Sequence, residues 1–120
     1  MDRSFAIALA EEGDRAPVYL IQDYHLALVP AMLRELRPDA RIVHFTHTPF
    51  CGPDQFRALP TDAATELCRA LAANPAGFHT ERWGRFYRES ARDTLGPGAT
   101  IAPTFAASLG PDVGALEAVA

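Results

Sequence analysis

Val18-Tyr19-Leu20-Ile21, followed at once by Gln22-Asp23-Tyr24-His25-Leu26, is a short apolar run that breaks into polar residues. A second break of the same kind follows, Ile42-Val43 and then His44-Phe45-Thr46-His47-Thr48-Pro49-Phe50. Between the two, Val29, Met32, Leu33 and Leu36 recur at the spacing of one helix face. Strand, helix, strand is the parallel βαβ unit, and its loops leave the sheet at the carboxyl ends of the strands, where α/β folds bind ligands. An Asp and a His delivered to one crevice by successive strands suit a polar, hydroxyl-rich small molecule.

Working outward, residues 4–12 predict a short helix ended by Gly13 and Asp14, and Pro17 leads into a strand over 18–22. Pro30 fits the first turn of the next helix, which Arg37-Pro38-Asp39 ends before a strand over 41–46. Pro49 and Pro53 around Gly52 make a rigid loop. Thr61 is the expected N-cap of a helix reaching about residue 73, with Ala64, Leu67, Cys68 and Leu71 inward. Ala76-Gly77-Phe78 reads as a short strand. Thr80 then caps a helix carrying Trp83, Phe86, Tyr87 and Ala91 on one face and ending at Gly96-Pro97-Gly98. Thr100 to Ala107 predicts a last strand, and a further helix begins near Val113. The expected fold is α/β, a parallel sheet covered by helices on both faces. Three or four strands are few for such a domain, so the chain reads as a partial one with an apolar sheet edge and helix faces left uncovered.

Composition bounds the function. The chain has 120 residues, 48% of them hydrophobic, and a net charge of −4. No basic stripe is available to neutralise phosphates, which argues against nucleic acid. All 11 basic residues are arginine, so no lysine nucleophile or phosphate clamp exists here. No apolar run is long enough for a membrane span, the N-terminus is not a signal peptide, and the chain reads as cytoplasmic. Cys51 and Cys68 are too few and too far apart for a metal knuckle or a disulfide framework. Neither a glycine-rich phosphate loop nor a G-x-S-x-G elbow occurs.

Each candidate residue has a functional and a structural reading. Asp23 either accepts hydrogen bonds from sugar hydroxyls or caps the helix that follows. His47 either donates to a ligand hydroxyl and steadies a leaving group, or is a structural histidine bonded to backbone. His44 reads as packing. Tyr24 orients Asp23 or packs, and His25 with Asp23 makes only two ligands, which are not a metal site. Thr80 with Glu81 offers helix-start amides to an anion, or simply caps. Trp83, Phe86 and Tyr87 read as core.

Several ordered motifs go further than spacing. Gln22-Asp23-Tyr24-His25-Leu26 with Leu28 to Arg34, His47-Thr48-Pro49-Phe50, Phe56-Arg57, Leu59-Pro60 and Gly77-Phe78-His79-Thr80-Glu81 resemble the trehalose-6-phosphate synthase family. The resemblance runs from about Phe5 to Pro111. It implies a retaining glycosyltransferase of the GT-B type, whose two Rossmann-like domains face each other across a cleft. Glucose would pass from a nucleotide sugar, UDP- or GDP-linked, to glucose 6-phosphate. Asp23 would then contact the acceptor, and His47 the donor glucose near its 6-hydroxyl. No enzyme nucleophile is implied, and no residue of this chain is expected to be catalytic by itself. No cofactor or metal is expected.

Cys51-Gly52 after the H-x-P-F motif, and Ser108-Leu109-Gly110-Pro111-Asp112 near the end, depart from the family pattern. They resemble a branch containing validoxylamine 7′-phosphate synthase, a pseudo-glycosyltransferase that joins a nucleotide cyclitol to an aminocyclitol phosphate. The resemblance makes residues 1–120 the latter part of the acceptor-side Rossmann-like domain, part of a GT-B N-terminal domain. The glycine-bearing N-terminal loop and the nucleotide domain are not in it. Nucleotide sugar and sugar phosphate are the expected partners of the complete protein, and a homo-oligomer is left open. A non-catalytic, stand-alone binding domain is the remaining alternative.

Overall fold

The computed structural model describes residues 2–12 and 17–110. In chain order these form α1 (Asp2–Glu12), β1 (Val18–Gln22), a 3₁₀ turn (Tyr24–Leu26), α2 (Val29–Leu36), β2 (Arg41–Thr46), α3 (Pro53–Phe56), α4 (Thr61–Ala72), β3 (Ala76–Phe78), α5 (Glu81–Leu95) and β4 (Thr104–Ala106). The strands make one parallel sheet in the order β1-β2-β3-β4. The architecture is α/β and Rossmann-like, as the alternation of periodicities predicts. The Gly13-Asp14 helix end and the helix expected from Val113 lie outside the described residues.

Three local expectations need correction. Thr61 is the first residue of α4 rather than its cap. Pro60 occupies the cap position with φ −53 and ψ 138, and the helix starts directly after it without a side-chain cap. The final strand is shorter than Thr100–Ala107, because Pro103 has no N–H for the ladder. The loop after Pro49 contains the single-turn helix α3, with Pro53 at its start.

The larger correction concerns the faces of the sheet. Register places Tyr19, Ile21, Ile42, His44, Thr46, Ala76 and Phe78 on one face, and this face meets the helices. Around it lie two cores. Ala6, Val29 and Leu33 pack on Tyr19, Ile21 and Ile42, while Ala64, Cys68, Leu71, Tyr87 and Ala91 pack on Ala76 and Phe78. On the opposite face Val18 and Leu20 are more than half exposed, and Phe105 is 43% exposed. Among the described residues no helix covers that side. Consecutive right-handed crossovers in one direction leave all helices on one face, so the expected two-sided covering is not met. The apolar surface left open is this sheet face, where an open sheet edge and open helix faces were expected.

Polar bonds fasten the helical layer. Tyr19 Oη donates to the Leu9 carbonyl at 2.7 Å, tying α1 to β1. Arg34 on α2 donates to the Ala40 carbonyl and, at 2.8 Å, to Oδ1 of buried Asn74, joining the turns that lead into β2 and β3.

Tyr87 is fully buried in the second core, and its hydroxyl has no partner among the described residues. Burial, and secondarily the nearby Cys68 thiol, pushes the phenol far above its ordinary value. An unfolded chain sheds this proton above a pH of about 10 while the folded chain keeps it, so stability falls as pH rises beyond that point. Tyr87→Phe is expected to remove this alkaline component in denaturant titrations. At neutral pH, a loss above about 1 kcal/mol in the variant would mean that the hydroxyl does have a partner.

Candidate functional site at the carboxyl edge of the sheet

Because the strands are parallel, Gln22, Thr46, Phe78 and Ala106 all end at the same edge. Asp23 is the first residue past β1. Its φ of 62 and ψ of 172 form the one positive-φ conformation of a non-glycine residue among the described residues. This region is nearly glycine-only and costs about 1–3 kcal/mol. Neighbouring bonds hold it there. The Asp23 amide donates to the Phe45 carbonyl at 2.7 Å. From below, buried His44 Nε2 donates to the Asp23 carbonyl at 3.0 Å. A carbonyl can only accept, so the proton of His44 is on Nε2, and Nδ1 is left to face the Thr46 hydroxyl at 3.4 Å. Burial, opposed by the Asp23 carbonyl and carboxylate, lowers the His44 pKa and favours the neutral ring. His44 is therefore more than packing, because it supports the strained turn.

The Asp23 carboxylate makes no cap bond to the following turn. Instead its Oδ1 accepts from the His47 amide at 3.2 Å, linking the ends of β1 and β2. Partial desolvation raises its pKa, but the amides of Tyr24, His47 and Thr48 and the His25 ring outweigh this and hold it below the ordinary value. At neutral pH the group is an anion with spare lone pairs, suited to accept from hydroxyls.

His47 has both ring nitrogens engaged. Nε2 lies 2.7 Å from Gln22 Oε1, and Nδ1 lies 3.1 Å from His79 Nε2. His79 Nδ1 in turn lies 3.2 Å from the Ala107 carbonyl. One continuous chain of polar contacts therefore crosses the ends of all four strands. Phe45 packs against both imidazoles, with ring centroids 4.9 and 5.1 Å away. Phe105 also packs against Phe45, with ring centroids 6.0 Å apart. A side chain at Gly77 would overlap the Phe45 and Phe105 rings, which is why the strand carries a glycine there.

Asp23 and His47 are thus brought together, as expected. Tyr24 and His25 stack on each other at 4.2 Å on the rim. Thr80 is spent on capping, its Oγ1 accepting from the Trp83 amide at 3.2 Å. Gln22 and His79 were not selected by residue type. Both stand in the motifs quoted for the family resemblance, and each sits at the end of a strand beside His47. A groove of about 400 Å³ opens here, lined by Leu20, Val43, Phe45, His47, His79 and Phe105 among others. A larger groove of about 900 Å³ lies between α1, α2 and α4 and contains none of these groups. Among the described residues no cluster of three or more His, Cys, Asp or Glu could hold a metal, and no helix is long and apolar enough to cross a membrane.

The strain at Asp23 is directly testable. Glycine ordinarily costs about 0.5–1 kcal/mol relative to alanine within regular structure. Here the order should invert, with Asp23→Gly more stable than Asp23→Ala by about 1–3 kcal/mol in denaturant midpoints. Equal stabilities would remove the strain argument.

Residues 1–109 match the sequence profile described as Glycosyltransferase family 20. The chain is 43% identical over 102 residues to a validamine 7-phosphate valienyltransferase of Streptomyces hygroscopicus subsp. jinggangensis, covering 82% of this chain and 20% of that protein. It is 45% identical over 80 residues to a trehalose-6-phosphate synthase of Mycobacterium avium, covering 66% of this chain and 16% of that protein. The chain spans about a fifth or less of the length of these relatives. Among solved structures, a UDP-forming α,α-trehalose-phosphate synthase from Burkholderia vietnamiensis superposes with a TM-score of 0.77 at 27% identity, over 98% of this chain and 28% of the other. The apo structure of OtsA gives 0.81 at 24% identity, over 96% and 28%, a likeness of fold. By the motifs, the fold and the extent of the match, this chain belongs to glycosyltransferase family 20.

Proposed function

We propose that the chain is the latter part of the acceptor-side domain of a glycosyltransferase that moves glucose from a nucleotide sugar to glucose 6-phosphate. The observation that carries this reading is the joining of Asp23 to His47 across the ends of β1 and β2, at the edge where α/β sheets bind ligands. Asp23, ionised and fixed in orientation, accepts from the acceptor's hydroxyls, and the imidazole of His47 meets the donor sugar. Sugar transfer passes through a transition state with positive charge at the anomeric carbon, and positioned hydrogen bonds with the donor's own phosphate can stabilise it. No side-chain nucleophile is required, and the configuration is retained. This reading puts the reaction in the cytoplasm, a reducing compartment that suits two free cysteines, Cys51 and Cys68.

A second reading is favoured by a specific observation. The 43% identity to the valienyltransferase extends over more of the chain than the match to the Mycobacterium avium synthase. Cys51-Gly52 and Ser108-Leu109-Gly110 also depart from the synthase pattern. The donor would then be a nucleotide cyclitol and the acceptor an aminocyclitol phosphate. Both readings use the same two residues, so the substrates alone separate them.

In the complete protein, Asp23→Ala is expected to lower kcat/KM for the acceptor by about 10- to 100-fold, the worth of a hydrogen bond to a charged group. Assays pairing glucose and cyclitol donors with sugar and aminocyclitol phosphates would choose between the two transferases. Saturable transfer by the 120-residue chain alone would contradict its assignment as part of a domain. Full activity in Asp23→Ala would remove the site.

A further inference from the structure

The chain of contacts from Gln22 through His47 and His79 to Ala107 is more than a set of neighbours, because one end of it can only accept. The Ala107 carbonyl is held in place by the ladder, its own amide donating to the Phe78 carbonyl at 2.8 Å. His79 Nδ1, 3.2 Å from that carbonyl oxygen, must therefore carry a hydrogen. An uncharged imidazole has one N–H, so His79 Nε2 is an acceptor, and His47 Nδ1 at 3.1 Å must be the donor. That leaves a lone pair on His47 Nε2. Gln22 Oε1 is the atom that faces it, at 2.7 Å, so the neutral pair requires the carboxamide to be turned the other way. Its two ends exchange by half a turn, so it offers its amino group to the neutral pair and Oε1 to a pair holding one extra proton.

We propose that His79 is a positioning residue. Through the Ala107 carbonyl it fixes His47 as the Nδ1–H tautomer, and Gln22 holds the place at Nε2 of a ligand hydroxyl that donates to His47. In the neutral pair His47 is thus an acceptor toward the ligand, the reverse of the donor role its residue type suggests. The direction is set by the Ala107 carbonyl and passed to His47 through His79. Phe45, wedged against both rings, and Gly77, which gives Phe45 room, keep the imidazoles in register. The tautomer stands on the contacts from the Ala107 carbonyl through His79 to His47, with the Gln22 carboxamide turned to match. That the displacing group is a sugar or cyclitol hydroxyl rests on the glycosyltransferase reading.

The test is long-range ¹H–¹⁵N correlation on the chain labelled with ¹⁵N-histidine, at a pH about two units above the ordinary imidazole value of about 6.5. His47→Gln deletes and so assigns the His47 signals, the His79 variants those of His79, and His44→Gln those of His44. His47 and His79 should both be protonated at Nδ1, with His44 at Nε2 as the internal contrast. His79→Gln can set its amino group on the Ala107 carbonyl and so present Oε1 to His47, which should leave His47 as Nδ1–H. His79→Leu should release His47 to Nε2–H. An Nε2–H tautomer in the wild type, or an unchanged His47 in His79→Leu, overturns the proposal. In the complete transferase, His79→Leu should lower kcat/KM about tenfold while His79→Gln stays close to wild type. Equal losses in both variants would overturn the positioning role. A wild-type protein that transfers no sugar or cyclitol, yet shows the expected tautomers, would defeat the functional reading and leave this one standing.

Discussion

The parallel hydrogen-bond ladder is the constraint on which the other features depend. Because β1, β2, β3 and β4 all run the same way, their carboxyl ends share one edge. Residues far apart in sequence become lateral neighbours there. Gln22, His47, His79 and Ala107 are separated by some thirty positions each, yet successive members stand within hydrogen-bond distance. An antiparallel pairing of the same segments would send alternate members to opposite ends. The ladder also explains the cost accepted at Asp23. The chain must turn sharply off β1 while its amide stays bonded to β2, and the left-handed backbone is how it does both.

His44 shows how core and site are coupled. It belongs by burial to the helical side of the sheet, but its ring reaches the Asp23 carbonyl from beneath. The carboxylate of Asp23 then orders the amide of His47, whose ring continues into the polar chain. A buried, neutral histidine thus supports the site without facing a ligand. The open face of the sheet contributes differently. Phe45 and Phe105 meet over Gly77 and form the apolar floor against which both imidazoles lie.

Much of the fold was legible because burial imposes periodicity. The stripe Val29, Met32, Leu33, Leu36 announces α2, and the run from Val18 to Ile21 announces β1, since each must hide an apolar side. Thr80 was legible as a cap because a helix start needs an acceptor for its orphan amides, and Thr80 supplies one to Trp83. Thr61 misled for the same reason. Its type suits a cap, but the backbone of Pro60 already begins α4. The short reach of β4 followed from Pro103, a residue whose missing N–H could have been read in advance. The uncovered face could not be read strand by strand, because it depends on every crossover turning the same way.

For the candidate site, the sequence by itself determined where one pair of residues would arrive. Asp23 and His47 each follow an apolar run, and a strand must end where its burial ends, so both arrive at the carboxyl edge. It also carried the ordered motifs that identify the family. Only the tertiary structure decided what those residues touch. That Asp23 binds an amide rather than capping a turn depends on a backbone angle no residue type announces. The partnership of His47 with His79 and Gln22, and the proton direction set by the Ala107 carbonyl, depend on lateral strand order. Strand order is a property of how the chain returns through space, and one-dimensional periodicity does not contain it.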